Sequence, residues 1–305
     1  MGTKNILIIK YGAIGDVVRT TPLLRVLVGN VYWVTKPESI PLLPELESFV
    51  KISNTQNTNF LKSIEFDLVL CMDDEIEPVN LGSSVKSKRL VGSYIGENGE
   101  ITYSQNSAEW FDMGLLSKHG KKTADDIKLK NKKTYQEILF KMLELNFNGE
   151  EYIINDNFES AQKNNSKIRI GIEKTAGSRW PMKTWNQYDK LAEQLNAENY
   201  EPFFFKYREN ILDYVSDLNS CDIIVSGDTL GMHIALSLKK KLIALFICTS
   251  PTEIYDYGRL IKIESPFLEK VFYRKDYVPE AVEAIKFDQV YDAVKLQLGK
   301  VKRDK

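Results

Sequence analysis

The sequence predicts an α/β protein of two doubly wound domains, and three observations carry that expectation. Short apolar runs of strand length alternate with helix-spaced segments along most of the chain, as in parallel sheets joined by right-handed crossovers. The run Ile6 to Ile9 leads into a glycine turn and a helix, and Ile168 to Ile172 leads into a second turn and helix in the same manner. Between them Phe158 to Lys167 (FESAQKNNSK) loses all apolar pattern, which places a boundary there and divides the chain into 1–160 and 161–305. A length of 305 residues also exceeds what one core usually serves.

Composition narrows the function classes. A formal charge of −1 gives no support to a general nucleic-acid binder. No apolar run approaches a membrane span, and the N-terminus runs straight into a strand without the pattern of a signal peptide. Cys71, Cys221 and Cys248 are widely spaced in apolar contexts, so they read as small buried residues of a reducing compartment, not as disulfides or a metal site. With only His119 and His233 available, a His-rich metal site is not expected either. A cytoplasmic protein is the expectation.

The elements follow in order. Ile6 to Ile9 is apolar on both faces, as in the middle of a parallel sheet. Gly12 to Gly15 turns the chain, and Asp16 opens a helix running toward Leu24. Val31 to Val34 is a second strand, Pro37 to Leu43 a short helix, Val50 to Ile52 a third strand and Asp67 to Met72 a stronger one. The acidic exit Asp73-Asp74-Glu75 reads as a solvated loop. Lys88 to Gly92 is a short strand, Ser93 to Lys132 is polar and weakly periodic and predicts long loops, and Thr134 to Leu145 returns to helical spacing. In the second domain Ile168 to Ile172, Pro202 to Phe205, Asp222 to Val225 and Leu242 to Ile247 are strands. Trp185 to Asn196, Asn210 to Leu218, Gly231 to Leu238 and Val290 to Leu298 are helices, before a basic tail from Gly299 to Lys305. Two such domains facing each other would place a ligand cleft at the carboxyl ends of both sheets.

Three stretches carry chemistry. Gly12-Ala13-Ile14-Gly15-Asp16 lacks the third glycine of a dinucleotide fingerprint, and Asp16 is either a helix cap or a catalytic carboxylate. Of the residues behind it, Thr20 and Thr21 could face the cleft, whereas Arg19 reads as surface decoration. Thr175 to Trp185 (TAGSRWPMKTW) places a glycine–serine turn beside Arg179 and Lys183, which suits phosphate oxygens. Ser226 to His233 (SGDTLGMH) follows a buried strand. There Thr229 and the N–H groups of the coming helix can hold an anion and Asp228 can accept from sugar hydroxyls, while His233 is either a packed core histidine or a ligand contact. Two phosphate-friendly corners and one lone carboxylate match what transfer of a sugar from a nucleotide diphosphate requires. The diphosphate leaves if its charge is stabilised, and only the acceptor hydroxyl needs a base.

At these residues the chain resembles glycosyltransferase family 9, the ADP-heptose:lipopolysaccharide heptosyltransferases and their relatives. ILIIKYGAIGDVVRTTPLL is similar to the family's N-terminal strand–turn–helix, IGIEKTAGSRWPMKTW to its interdomain-side motif and CDIIVSGDTLGMHIALSLKKKLIALFICTSP to its donor-binding segment. NKKTYQEILF resembles a further run of heptosyltransferase-like members. The resemblance implies a GT-B fold of two Rossmann-like domains, the acceptor on 1–160 and the nucleotide-sugar on 161–305. It also implies inverting, metal-independent transfer of heptose or a related sugar from an ADP-sugar, with no cofactor beyond that donor, to a lipopolysaccharide or other surface-glycan acceptor.

By the same resemblance Asp16 takes the catalytic base position, beside Gly15 and Thr20 on the acceptor side. Lys183 and Ser178 fall at the donor phosphates, Asp228 and Thr229 on the pair contacting sugar and diphosphate, and Gly231 and His233 on the rest of that motif. The chain departs from the family where Leu230 precedes Gly231, where Ile247-Cys248 replace a Gly-Pro pair, and between Phe203 and Asp222, where a strand–helix unit is trimmed. Glu209 is a candidate replacement for the glutamate that this region normally offers the nucleoside. The trimming makes a catalytically silent sugar-nucleotide or glycan-binding module the alternative. A GT-B-like epimerase would need a second acid/base group that the sequence does not display. The tail cations Lys300, Lys302, Arg303 and Lys305 could touch anionic lipid at the inner face of a cell membrane, or simply be solvated.

Overall fold

The computed structural model describes residues 3–159, 167–177 and 179–303. The chain forms two compact units, Met1–Asn155 and Asp156–Lys305. The first contains β1 (Asn5–Ile9), α1 (Ile14–Thr20), β2 (Asn30–Thr35), β3 (Phe49–Ser53), β4 (Glu65–Phe66), β5 (Leu68–Cys71), α2 (Ile76–Ser84), β6 (Lys86–Ser87), β7 (Leu90–Ile95), β8 (Ile101–Tyr103), α3 (Ala108–Phe111), α4 (Lys121–Lys130) and α5 (Tyr135–Met142). Six strands make its sheet in the order β3-β2-β1-β5-β7-β8, and β4 pairs separately with β6. All neighbours are parallel except β7 and β8.

The reason Ile6 to Ile9 of β1 are all apolar is visible in their packing. Leu7 and Ile9 enter one core layer with Val34, Ile52, Val69 and Val79, whereas Ile6 and Ile8 enter the opposite layer with Val17, Val31 and Trp33. A central strand covered on both faces has no solvated side to mark with polar residues. Helix α5 starts with a reciprocal cap: Thr134 Oγ1 accepts from Glu137 N–H at 3.2 Å, and the Glu137 carboxylate accepts from Thr134 N–H at 2.6 Å.

The second unit contains β9 (Arg169–Ile172), α6 (Tyr188–Ala197), β10 (Glu201–Phe204), α7 (Ile211–Asn219), β11 (Ile223–Gly227), α8 (Leu230–Ser237), β12 (Lys241–Phe246), β13 (Leu260–Glu264), α9 (Pro279–Glu283) and α10 (Phe287–Arg303). Its five strands are parallel in the order β10-β9-β11-β12-β13. Ile170, Ile172, Ile223, Val225, Ile243 and Leu245 form one face of this sheet and pack against α6 and α10. Trp185 precedes α6 in that core, and its indole N–H donates to the Ile285 carbonyl at 3.0 Å.

Several sequence expectations need correction. Ser93 to Lys132 is not mainly loop: β7 continues to Ile95, a hairpin brings in β8, and α3 and α4 follow. Their brevity, and the polar surface of α4, hid the periodicity. The chain from Gly299 to Arg303 is not a tail but the last part of α10, where Val301 is buried and Lys302 Nζ lies 3.1 Å from Tyr200 Oη. Helix α2 and strand β13 were not foreseen. Between β10 and β11 there is one helix, α7, and no strand. All three cysteines are free and buried. Among the described residues no helix is long and apolar enough to cross a membrane.

Candidate functional site

Sheet order locates a candidate corner in each unit. Counting the strands of its main sheet in chain order, the first unit runs 3-2-1-4-5-6 and the second 2-1-3-4-5. The crossovers change direction between β1 and β5 in the former and between β9 and β11 in the latter. Doubly wound folds hold ligands outside the carboxyl ends of the strands at such a point.

In the first unit this corner is built by the residues after β1 and β5. Lys10 and Asp73 are both buried and form an ion pair, Lys10 Nζ to Asp73 Oδ1 at 2.7 Å, with a second bond from Nζ to the Met72 carbonyl at 3.2 Å. The Asp73 carboxylate also accepts from the N–H groups of Tyr11 and Gly12, so it fixes the turn that leads to α1. Burial alone would discharge Lys10, yet the Asp73 and then the Asp16 carboxylate reverse that and raise its proton affinity. Asp73 is therefore no solvated loop acid. The expectation failed because an acidic triplet looks alike whether its first member turns into the sheet or out to water.

Asp16 is the third residue of α1 and does not cap it. The N-cap is Ala13, without a side-chain cap bond, and Asp16 Oδ1 pairs with Arg19 at 3.0 Å. About a third of the Asp16 side chain is exposed (36 %), whereas Arg19 retains 12 %. The Arg19 guanidinium lies over the Tyr135 ring, 4.1 Å from its centroid, and 5.6 Å from that of Trp110. Arg19 is thus part of the corner, not surface decoration. The reading missed it because an i,i+3 Asp–Arg pair says nothing of the aromatic floor that α5 supplies 116 residues later. Gly15 is the second residue of α1. Thr20 is buried, its hydroxyl 2.7 Å from the Asp16 carbonyl and 2.8 Å from Tyr135 Oη.

In the second unit the corner is built by the residues after β9 and β11. Lys183 Nζ lies 2.8 Å from Asp228 Oδ2, and His233 Nε2 lies 3.9 Å from the other carboxylate oxygen. Burial opposes the Asp228 charge, but Lys183 and then His233 hold its carboxyl well below the usual range. Gly227 lets this cluster form: a Cβ there would stand 2.1 Å from the Lys183 carbonyl oxygen. Thr229 is the N-cap of α8 but makes no side-chain cap bond, its hydroxyl lying 3.0 Å from that of Ser226. The opening N–H groups of α8 therefore have no side-chain cap, the arrangement that favours anions. Gly231 stands against Tyr214, whose hydroxyl would be 2.3 Å from a Cβ at that position. His233 is buried one turn into α8. Ser178 lies outside the described residues, and Glu209 is exposed ahead of α7.

Glu173, immediately after β9, was not singled out by the sequence reading. Its carboxyl accepts from the Tyr214 hydroxyl and from Thr175 Oγ1 at 3.0 Å, and burial raises its proton affinity above that of an ordinary glutamate. Among the described residues no group of three or more His, Cys, Asp or Glu side chains is placed to hold a metal ion.

Comparison with known proteins gives a consistent result. Residues 208–270 match the model of Glycosyltransferase family 9 (heptosyltransferase), a span that includes Asp228, Thr229, Gly231 and His233. No curated protein matches the sequence. Among solved structures, a family 9 glycosyl transferase from Veillonella parvula superposes with a TM-score of 0.70 at 14 % identity, covering 98 % of each chain. The E. coli ADP-heptose lipopolysaccharide heptosyltransferase II gives 0.63 at 15 % identity over 98 % of this chain and 99 % of its own. The E. coli heptosyltransferase WaaC, solved with ADP, gives 0.59 at 11 % over 96 % and 99 %.

Proposed function

On the premise of a GT-B chain that resembles glycosyltransferase family 9, we propose that this protein is an inverting glycosyltransferase. It moves heptose or a related sugar from an ADP-sugar to a lipopolysaccharide or other surface-glycan acceptor. The observation that carries this is the cluster of Lys183, Asp228 and Thr229 at the uncapped start of α8, most of it inside the segment that matches the family. The first unit handles the acceptor and the second the donor.

Asp16 removes the proton from the acceptor hydroxyl. The hydroxyl oxygen attacks the anomeric carbon as the bond to the diphosphate breaks on the opposite face, which inverts the centre. The negative charge that develops on the leaving diphosphate is met by Lys183 and by the N–H groups opening α8, so departure needs neither a general acid nor a metal ion. Asp228, already ionised beside Lys183, accepts from donor hydroxyls and keeps the lysine oriented. A positioned base contributes roughly 10²–10⁴-fold to such a reaction.

Asp16→Ala is expected to abolish transfer while ADP still stabilises the protein in a thermal-shift assay. Retained turnover in that variant overturns the assignment of the base. Thermal shift across ADP, UDP, GDP and their sugars tests the donor, and stabilisation by UDP or GDP with none by ADP removes heptose transfer. The five-stranded second unit favours one other reading, a silent module that binds nucleotide-sugar or glycan. Donor binding without transfer or hydrolysis across a panel of acceptors would establish it.

A further inference from the structure

We propose that Lys10, clamped by Asp73, is a positioning residue that sets the pH at which Asp16 gives up its proton. The inference builds on the reading of Asp16 as the base, but it concerns the carboxyl itself and can be tested without turnover.

Lys10 is a cation fixed in place. It leaves β1 directly beside the exit of β5, where one of its donors is taken by Asp73 Oδ1 and another by the Met72 carbonyl. With 7 % of its surface exposed, it has little freedom to swing toward a substrate. Its neighbour across the turn is Asp16. The point where Gly12 would carry a Cβ lies 2.7 Å from Lys10 Nζ and 3.3 Å from Asp16 Oδ2. The ammonium and the carboxylate thus face each other across the missing side chain of Gly12, within the roughly 4–6 Å over which an opposite charge lowers a carboxyl's proton affinity.

The other groups around Asp16 act differently. Arg19, on the same helix, pairs with the opposite oxygen and is held by the Tyr135 ring of α5. The Tyr135 hydroxyl is engaged with Thr20. Asp73, from the end of β5, has its charge spent on Lys10 and on two backbone N–H groups. Its part is to keep Lys10 protonated in a buried place, and of the pair it is Lys10 that supplies the positive charge felt at Asp16. That charge is shielded from salt, whereas the exposed edge of Asp16 is not.

The test is a carbon-13 carboxyl NMR titration of the full chain, with the Asp16 signal assigned from Asp16→Asn. In Lys10→Met the Asp16 midpoint is expected to move up by on the order of one pH unit. The double variant Lys10→Met/Asp73→Asn, which leaves no uncompensated buried charge, should move it up by less, because the negative charge of Asp73 is withdrawn as well, and Lys10→Arg should stay near the parent. An unmoved midpoint in folded Lys10→Met/Asp73→Asn overturns the proposal. The pH profile of ADP release from ADP-heptose in the same proteins separates this from the reading of Asp16 as base. If Asp16 is the base, its acid limb follows the NMR midpoint; a midpoint that moves while the limb stays still supports the role of Lys10 and removes the base assignment.

Discussion

Two ion pairs hold the two corners, and their burial decides what breaking them should do. Lys10 and Asp73 are almost entirely enclosed, so deleting one partner strands the other. Lys10→Met or Asp73→Asn alone should cost about 3–5 kcal/mol of stability, and the double variant clearly less than the two single costs combined, as read from urea unfolding. The Lys183–Asp228 pair is more open, at 17 % and 14 % side-chain exposure, and its deletion should be felt first in binding. Lys183→Met is expected to weaken ADP binding about 10- to 100-fold by calorimetry, the worth of one charge-assisted contact. It should also flatten the fall of stability in acid, read as urea unfolding against pH. The Asp228 carboxyl sits below its ordinary range, so its contribution to stability is complete above the unfolded carboxyl range and is lost as pH falls toward the folded value. Without Lys183 the folded value rises toward the unfolded one, so less of this contribution is left to lose in acid.

At the scale of elements, the ends of strands matter more than their middles. Glu173 closes β9 against α7 and the first turn of α8, and the fold prefers it protonated. Its stability contribution is therefore present below the unfolded carboxyl range and is lost as pH rises through the folded value. Glu173→Gln should raise the melting temperature at neutral pH, and the gain should vanish when the scan is repeated in acid. Gly227, at the end of β11, has no room for a methyl group against the Lys183 carbonyl. Gly227→Ala should cost about 1–3 kcal/mol and weaken ADP binding together, because the loop bearing Lys183 must move.

The middles of strands were also the legible part. Ile6 to Ile9 and Asp222 to Val225 can hardly be anything but central strands, and the two turn–helix corners follow from the glycines behind them. Lys10 and Asp73 were not legible, since a charge ending an apolar run looks like an exit to solvent. The signal that could have found them is their pairing: two apolar strands of one sheet each end, one or two residues later, in a buried charge of opposite sign. Arg19 was hidden for a related reason, because its partners are remote in sequence: Tyr135 opens α5, and Trp110 comes from the short helix α3 in a stretch of little periodicity.

For the whole molecule the telling fact is that each unit has its own core. The layer containing Trp185, Tyr188 and Val290 draws only on the second unit, and the layers around Leu7, Ile8 and Leu139 only on the first. A ligand that contacts one unit therefore acts, in the first instance, on that unit's stability. Mass action gives the size: at a hundred times its Kd a ligand adds about 2.7 kcal/mol to whatever it binds. Hydrogen exchange in saturating ADP should then slow the amides of β9, β11 and α8, while those of β1, β5 and α5 exchange as in the free protein. Equal protection of both units would mean that ADP is not held by the Lys183–Asp228 corner alone. Protection confined to the first unit would reverse the assignment of donor and acceptor, leaving Asp16 among the donor's contacts and the acceptor to be sought beside Asp228.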